Sequence, residues 1–377
     1  MNVFSKIAET IHEPGVYLDM PEEEYHADPS FSASGVKLIT VSPLDFWVNS
    51  PLNPDRKENG SEAKDLGKAY HKMILEGPEA FEDAYAVAPA KEDYDDLLVT
   101  VDDLKGFCAE RAIKVPSKCK KDDIADLILE AHPDTNIWDN IMAQFARDNE
   151  GRLTMTKDQW RGMKLVQAVM ARVDSAKDVL TGGVSEVSIF WRDEDFGGIP
   201  MKARMDKLRM ADIIDLKTFG NVMSKEVVTA VAGEIARHRY YIQPPFYRRA
   251  LLRARQMFRQ AGDEMLIGGS EAARNVATLA LTAEVPPRFW FVFVQTGGIP
   301  NIVIREFAEF ETFKGLGGTQ NAYWWRGEID MRRGIQLYRD CMAAFAPGEP
   351  WVADFGAKAF ADQDFPIWML NNPEASA

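Results

Sequence analysis

Residues 201–218 read MKARMDKLRMADIIDLKT. Met201 to Leu208 and Ile213 to Lys217 have the apolar and β-branched content of strands, and Arg209 to Asp212 lies between them as a tight turn. With the turn there, Leu208 pairs with Ile213, and the same register sets Asp206 opposite Asp215. Opposed side chains have Cβ atoms roughly 4.5–5.5 Å apart, so like charges there destabilise the pair unless something positive sits between them. A divalent metal ion is the simplest such group. Lys217 lies two residues past Asp215 and points to the same face, whereas Ile214 and Leu216 point to the other face and can be buried. A surface hairpin with solvated charges, in which Lys217 merely neutralises the aspartates, is the other reading of this stretch alone.

Around the hairpin, Glu186 to Trp191, Phe289 to Val294 and Ile302 to Phe307 also read as strands, with Gly, Pro and Asp turns between them. Helical periodicity marks Glu62 to Glu76 with Ser61 as N-cap, a short helix begun by Ser32 or Ser34, and Asn136 to Asp148. It also marks Lys157 to Leu180 behind Thr156, Lys225 to Ala236, Pro245 to Gln260 and Asn321 to Phe345. Helices, three strands, helices and two strands make a mixed α/β core. Thr100 to His132 is a different object, a capped helix, a turn around Pro116 and a second helix, with Lys114, Lys118, Lys120 and Lys121 near the turn. It resembles the SAP-type two-helix modules of DNA-associated proteins, and a spacer is the equal alternative.

The net charge of −14 argues against a nonspecific polyanion binder, so any nucleic-acid role must rest on local charge. Charge is local here. Glu79 to Asp103 holds nine carboxylates and one cation, while Ile235 to Gly262 holds seven arginines and no acid. The second stretch favours an anion-facing surface over a merely solvated helix face. No apolar run approaches a bilayer-spanning length, and residues 1–14 lack the apolar region of an export signal. Three cysteines, Cys108, Cys119 and Cys341, are too few and too scattered for a disulfide framework or a four-thiolate site. A reducing, cytoplasmic setting is expected, with no membrane contact.

The hairpin residues, an Asp followed by Asp215-Leu216-Lys217 with Glu186 on the strand before, resemble the PD-(D/E)XK nuclease superfamily. Within it the chain is similar to the exodeoxyribonuclease VIII family, the RecE-type phage and prophage recombination nucleases. The resemblance is carried by Gly15-Val16-Tyr17 with Glu24-Tyr25-His26, by Ser32 and Ser34 leading to Ser42-Pro43, and by Leu66-Gly67-Lys68-Ala69-Tyr70-His71. It continues through Glu186 to Trp191, Ala203 to Asp206, Ile214 to Thr218 and Gln243 to Tyr247. It covers nearly the whole chain apart from about Lys91 to Pro133.

The resemblance implies an α/β fold with a restriction-endonuclease-like core, a mixed central sheet flanked by helices, and a small inserted helical module. The expected divisions are residues 1–90 with the His71 helix, 98–134 as the module, and 150–377 as the nuclease core and C-terminal helices. It implies a metal site ligated by His71, Asp206 and Asp215, with the carbonyl of Leu216 as a fourth ligand and Glu186 among the catalytic residues. Lys217 stands beside the attacking water. Carboxylates suit Mg²⁺ or Mn²⁺, and an imidazole is tolerated better by Mn²⁺. Gly67, one turn before His71, is read as room for another backbone or a substrate.

Gln243 and Tyr247 match a Gln-x-x-x-Tyr element that contacts nucleic acid, but Pro244-Pro245 is expected to displace Gln243 to the helix N-cap and out of partnership with Tyr247. Arg248, Arg249, Arg253, Arg255 and Arg259 would follow as phosphate contacts, or pair with acids of a neighbouring subunit. Tyr323, Trp324, Trp325, Trp351 and Trp368 are read as packing residues before base-stacking ones. The implied function is Mg²⁺-dependent resection of duplex DNA ends, 5′-to-3′, leaving 3′ tails for a RecT-type single-strand annealing recombinase, by a ring-shaped homo-oligomer. Two rivals stand beside it. One is another nuclease of this fold, such as the CRISPR-associated iron–sulfur exonucleases, which need four cysteines; the other is a non-catalytic DNA-binding recombination protein.

Overall fold

The computed structural model describes residues 11–57, 62–311 and 319–354 of the 377-residue chain. Ser61 and Trp368 lie outside the described residues. The centre is a seven-stranded mixed sheet. Its strands are β1 (Gly15–Tyr17), β2 (Val184–Asp193), β3 (Ile199–Arg209), β4 (Asp212–Phe219), β5 (Leu266–Ile267), β6 (Arg288–Gln295) and β7 (Ile302–Glu306), in spatial order β5-β1-β2-β3-β4-β6-β7. Strands β2, β3 and β4 form an antiparallel meander, and β6 adds parallel to β4 after a long helical crossover. Strands β1 and β5 were not legible in the sequence, because two or three residues carry no alternation to read.

The hairpin takes the expected register, with Leu208 opposite Ile213 and Arg209 opposite Asp212. Met210 occupies the left-handed region at φ 49° to close the turn. The alternation of β4 sorts its side chains between two apolar layers. Ile213 and Phe219 enter a large cluster shared with α6 (Gln243–Ala261), α7 (Glu271–Thr282) and α8 (Ala322–Ala344). Ile214 and Leu216 enter a second cluster with Met73, Met163 and Val166. Met73 lies in the turn after α2 (Glu62–His71), and Met163 and Val166 lie on α5 (Lys157–Met170). The sheet is therefore covered on both faces.

Two helices differ from the expectation. The periodicity over 62–76 is α-helical only to His71, and Lys72–Glu76 winds as a π-helical turn ended by Gly77 at φ 97°. Lys157 to Leu180 is two helices, because the chain turns at Ala171 to Val173 and restarts over Asp174–Leu180.

In the 98–134 region α3 (Val101–Glu110) and α4 (Lys121–Ala131) pack together around Leu104, Cys108, Ile124 and Ile128, separately from the other clusters. Thr100 caps α3 and exchanges hydrogen bonds with Asp103 at 3.1 and 2.7 Å. Ile137, 1% exposed, closes this small core, and Leu98 bridges to it. Excision should therefore run from 98 to 137. Replacing that segment with a short Gly/Ser linker is expected to leave the thermal transition of the rest within about 3 °C by calorimetry. A larger fall would mean that the two helices support the sheet.

Candidate metal centre

Three carboxylates reach one level of the meander because three strands share a register. The β2–β3 pairs Ser185–Lys207 and Val187–Met205 bracket Glu186 and Asp206. The β3–β4 ladder has its last pair at Lys207–Ile214, one step before Asp206 and Asp215. Both ladders are interrupted at this level. Glu186 takes a left-handed backbone at φ 57°, which few non-glycine residues adopt, and Asp206 uses its carboxylate to accept the Leu216 N–H at 2.7 Å. Side-chain and backbone polarity thus replace the missing ladder bonds.

His71 arrives from the last residue of α2, with its Nδ1 3.7 Å from the Asp206 carboxylate. The π turn starts at the next residue, a distortion that often accompanies functional sites. Potential ligand atoms of His71, Glu186 and Asp206 all lie within 4.8 Å of one another. Asp215 is placed differently. Its carboxylate is 1% exposed, ion-pairs with Lys217 and accepts a hydrogen bond from the Gln243 amide at 3.1 Å. The grouping in the structure is therefore His71, Glu186 and Asp206, with Asp215 beside it as the partner of Lys217. The Leu216 carbonyl faces the same place, 3.4 Å from the Lys217 ammonium.

Electrostatics mark the cluster as short of positive charge. Burial first, and then the neighbouring Asp215 charge, push the Asp206 carboxyl up to about 7. Glu186 is raised by burial and by Asp206, although its ion pair with Arg204 opposes the shift. Burial and the Lys217 charge hold His71 below its ordinary value, so the imidazole is a neutral ligand type. Lys217 loses hydration, but Asp215 and Asp206 outweigh that loss and raise it. Two carboxylates, a neutral imidazole and a backbone carbonyl fit Mg²⁺ or Mn²⁺, and a cation would remove the penalty that raises both acids.

Gln243 is the first residue of α6, with helical φ −64° and ψ −44°, which corrects the N-cap expectation. The prolines fall in the first turn, where the missing N–H groups have no helical acceptor, so they do not displace Gln243. Its amide donates to Tyr247 at 3.4 Å as well as to Asp215, and its own Oε1 is buried with no donor among the described residues. The arginines that follow are not a free row of cations. Arg249 and Arg253 bind Asp195 and the buried Asp193, Arg248 pairs with Glu309, and Arg255, 4% exposed, donates to the carbonyls of Ala280 and Val285 at 3.0 and 2.7 Å. Their acids come from elsewhere in the same chain, a pairing that composition along α6 could not reveal. Arg259 is exposed.

Gly67 is not required by a close approach, since a Cβ there would meet Thr218 Oγ1 at an ordinary 3.7 Å. In the two-helix region Lys120 is exposed and Lys121 pairs with Asp139 at 2.5 Å. Trp324 and Trp351 are buried as expected, while Tyr323 and Trp325 are exposed. Sequence reading missed Arg204, which is on the face of Asp206 by simple alternation, and Tyr240, whose ring lies 5.4 Å from the Lys217 ammonium.

No protein-family model matches this chain, and no curated protein matches it. Among solved structures, that of a "putative exonuclease" from Eubacterium rectale aligns over 94% of this chain and 99% of its own length, at 13% identity and a TM-score of 0.42. Among the described residues, no helix is long and apolar enough to cross a membrane.

Proposed function

We propose that this chain is a divalent-metal-dependent exodeoxyribonuclease of the RecE type, hydrolysing phosphodiesters from the ends of duplex DNA. The observation that carries the reading is the convergence of Glu186, Asp206 and Asp215 from three adjacent strands at one level, with His71 against them and Lys217 alongside. His71, Glu186 and Asp206 would hold the ion, with the Leu216 carbonyl as a further oxygen donor and Asp215 beside them as the partner of Lys217. Mg²⁺ there, or Mn²⁺ in its place, supplies Lewis acidity at a phosphoryl oxygen and a lowered pKa for water. The protein's own part is clearer in Lys217. Asp215 orients its ammonium and keeps it charged, so it can stabilise negative charge that develops at the attacked phosphorus. Gln243 holds Asp215 in turn, and Tyr247 holds Gln243.

The finer reading is 5′-to-3′ resection that leaves 3′ tails for a RecT-type annealing protein, by a ring-shaped homo-oligomer in the cytoplasm of a phage-carrying host. The charge of −14 suits an acidic exterior around a basic channel. In this reading Arg248, Arg249, Arg253, Lys120 and Lys121 contribute to DNA binding, the arginines by exchanging their internal carboxylates for phosphate. Linear duplex labelled at the 5′ or the 3′ end, with a closed circle as control, tests the proposal. Release of 5′ label only with Mg²⁺, and no attack on the circle, is expected. Binding without any release in Mg²⁺ or Mn²⁺ would favour a non-catalytic DNA-binding protein.

A further inference from the structure

Lys37 sits on α1 (Ala33–Ile39), which is capped by Ser32 and packs against α8 and the Tyr240–Ile242 turn. Its ammonium lies 5.1 Å from the centre of the Tyr240 ring, and the Lys217 ammonium lies 5.4 Å from the same centre. Two cations therefore share one aromatic ring at the edge of the carboxylate cluster. They are not equivalent. The charge of Lys217 is matched by Asp215, whereas among the described residues no carboxylate or hydrogen-bond acceptor holds the Lys37 ammonium. Burial, and then repulsion from Lys217, lower Lys37 to about 8, against a smaller opposing attraction from Asp215, which is already paired with Lys217. An ammonium half-removed from water beside another cation is unfavourable unless an anion joins it.

The turn that supplies Tyr240 is fixed with care. Arg239 takes a left-handed backbone at φ 54° and binds Asp330 and Thr40 at 2.9 and 2.8 Å, and Tyr241 also reaches Asp330. Asp330 is 2% exposed and sits on α8. This network fixes the turn that carries the Tyr240 ring.

We propose that Lys37 and Tyr240 form a second phosphate subsite beside the metal centre, where the Lys37 ammonium binds a phosphate group of the DNA strand other than the one cleaved. The assignment rests on the nuclease reading and deepens it. A phosphate at this place gives the Lys37 ammonium the ion-pair partner it lacks among the described residues and fixes the strand beside Lys217. Tyr240 supplies a rigid wall for both ammonium groups.

Lys37→Gln removes the charge without removing any partner it has in the protein, so the fold is expected to survive. Single-turnover cleavage in Mg²⁺ and duplex affinity in Ca²⁺ are each expected to fall roughly tenfold, the size of one charge-assisted hydrogen bond. Substrates carrying a single methylphosphonate at successive positions, and ends bearing a 5′-phosphate or a 5′-hydroxyl, locate the contact. At one position the parental protein should lose roughly tenfold while Lys37→Gln loses nothing more. A methylphosphonate position identifies an internal diester, and the 5′-hydroxyl end identifies a terminal monoester; either result supports the subsite. Additive losses at every position, or a Lys37→Gln protein that cleaves and binds as well as the parent, would overturn it and leave the nuclease reading standing. If the parental protein neither binds nor degrades the duplex, the nuclease reading fails and the subsite fails with it.

Discussion

Asp206→Asn is expected to abolish degradation of linear duplex while making the metal-free protein more stable at pH 8. The loss of activity follows from removing the charge that His71 and Glu186 converge on. An ion contributes several kcal/mol of charge stabilisation, so a fall of roughly 10³ or more in single-turnover rate is expected. The gain in stability follows from the sign of the shift. A carboxyl with an ordinary value of 3.8 is raised to about 7 in the fold, so the native state holds its proton more tightly than the unfolded chain does. The penalty is absent below pH 3.8, grows as the pH rises between the two values, and is complete above about 7. Asparagine removes it and can still accept the Leu216 N–H. Single-turnover cleavage of linear duplex checks the first half, and denaturant titrations at pH 5 and pH 8, with and without Mg²⁺, check the second. Mg²⁺ should stabilise the parent at pH 8 more than at pH 5 and leave Asp206→Asn unchanged, because binding displaces protons. A variant that is less stable than the parent at pH 8 would mean that Asp206 is held by cations of the fold itself.

The second large effect belongs to Lys217→Ala, and the structure divides it into two parts. Loss of the ammonium at the reacting phosphate should cost roughly 10² to 10³ in rate, comparable with removal of an oxyanion donor. It also leaves Asp215, 1% exposed, without its ion-pair partner, and breaking a buried pair from one side costs about 3–5 kcal/mol. The single variant is therefore expected to be both slow and less stable than the parent. Lys217→Ala with Asp215→Asn removes the stranded charge, so the pair should regain most of the stability and none of the activity. Urea titration and single-turnover cleavage separate the two contributions. Recovery of cleavage in the double variant would show that Lys217 acts only through the fold.

The hairpin was legible because strands have a period of two. Once the turn was placed at Arg209 to Asp212, the alternation dictated that Asp206, Asp215 and Lys217 share a side and that Ile214 and Leu216 are buried, and the observed pairs agree with that register. Glu186 was harder to place as a ligand because the connection from Asp193 to Ile199 is longer than a tight turn, so the register between β2 and β3 cannot be counted from sequence. The fate of the arginines on α6 was hidden for a different reason. Helical periodicity tells which face a residue occupies, but Asp193, Asp195 and Glu309 approach that face from distant segments. Gln243 was misplaced by a local rule about proline that the first turn of a helix is free to ignore. Local chemistry was readable wherever the partner lay on the same or the next element, and unreadable wherever topology supplied it.

The meander of β2, β3 and β4 has a consequence for the order in which the protein assembles. Its three acids lie within residues 184–219, joined by short connections, whereas β6, α6 and His71 reach them from far along the chain. Contacts close in sequence form before distant ones, because loop closure costs entropy that grows with length. Glu186, Asp206 and Asp215 are thus brought together while water still surrounds them, and the cost of dehydrating them is deferred until Gln243 and Tyr247 dock. Like charge is expected to slow that late step, so mild acid, which protonates Asp206, should speed it, as tryptophan fluorescence after dilution from urea would report.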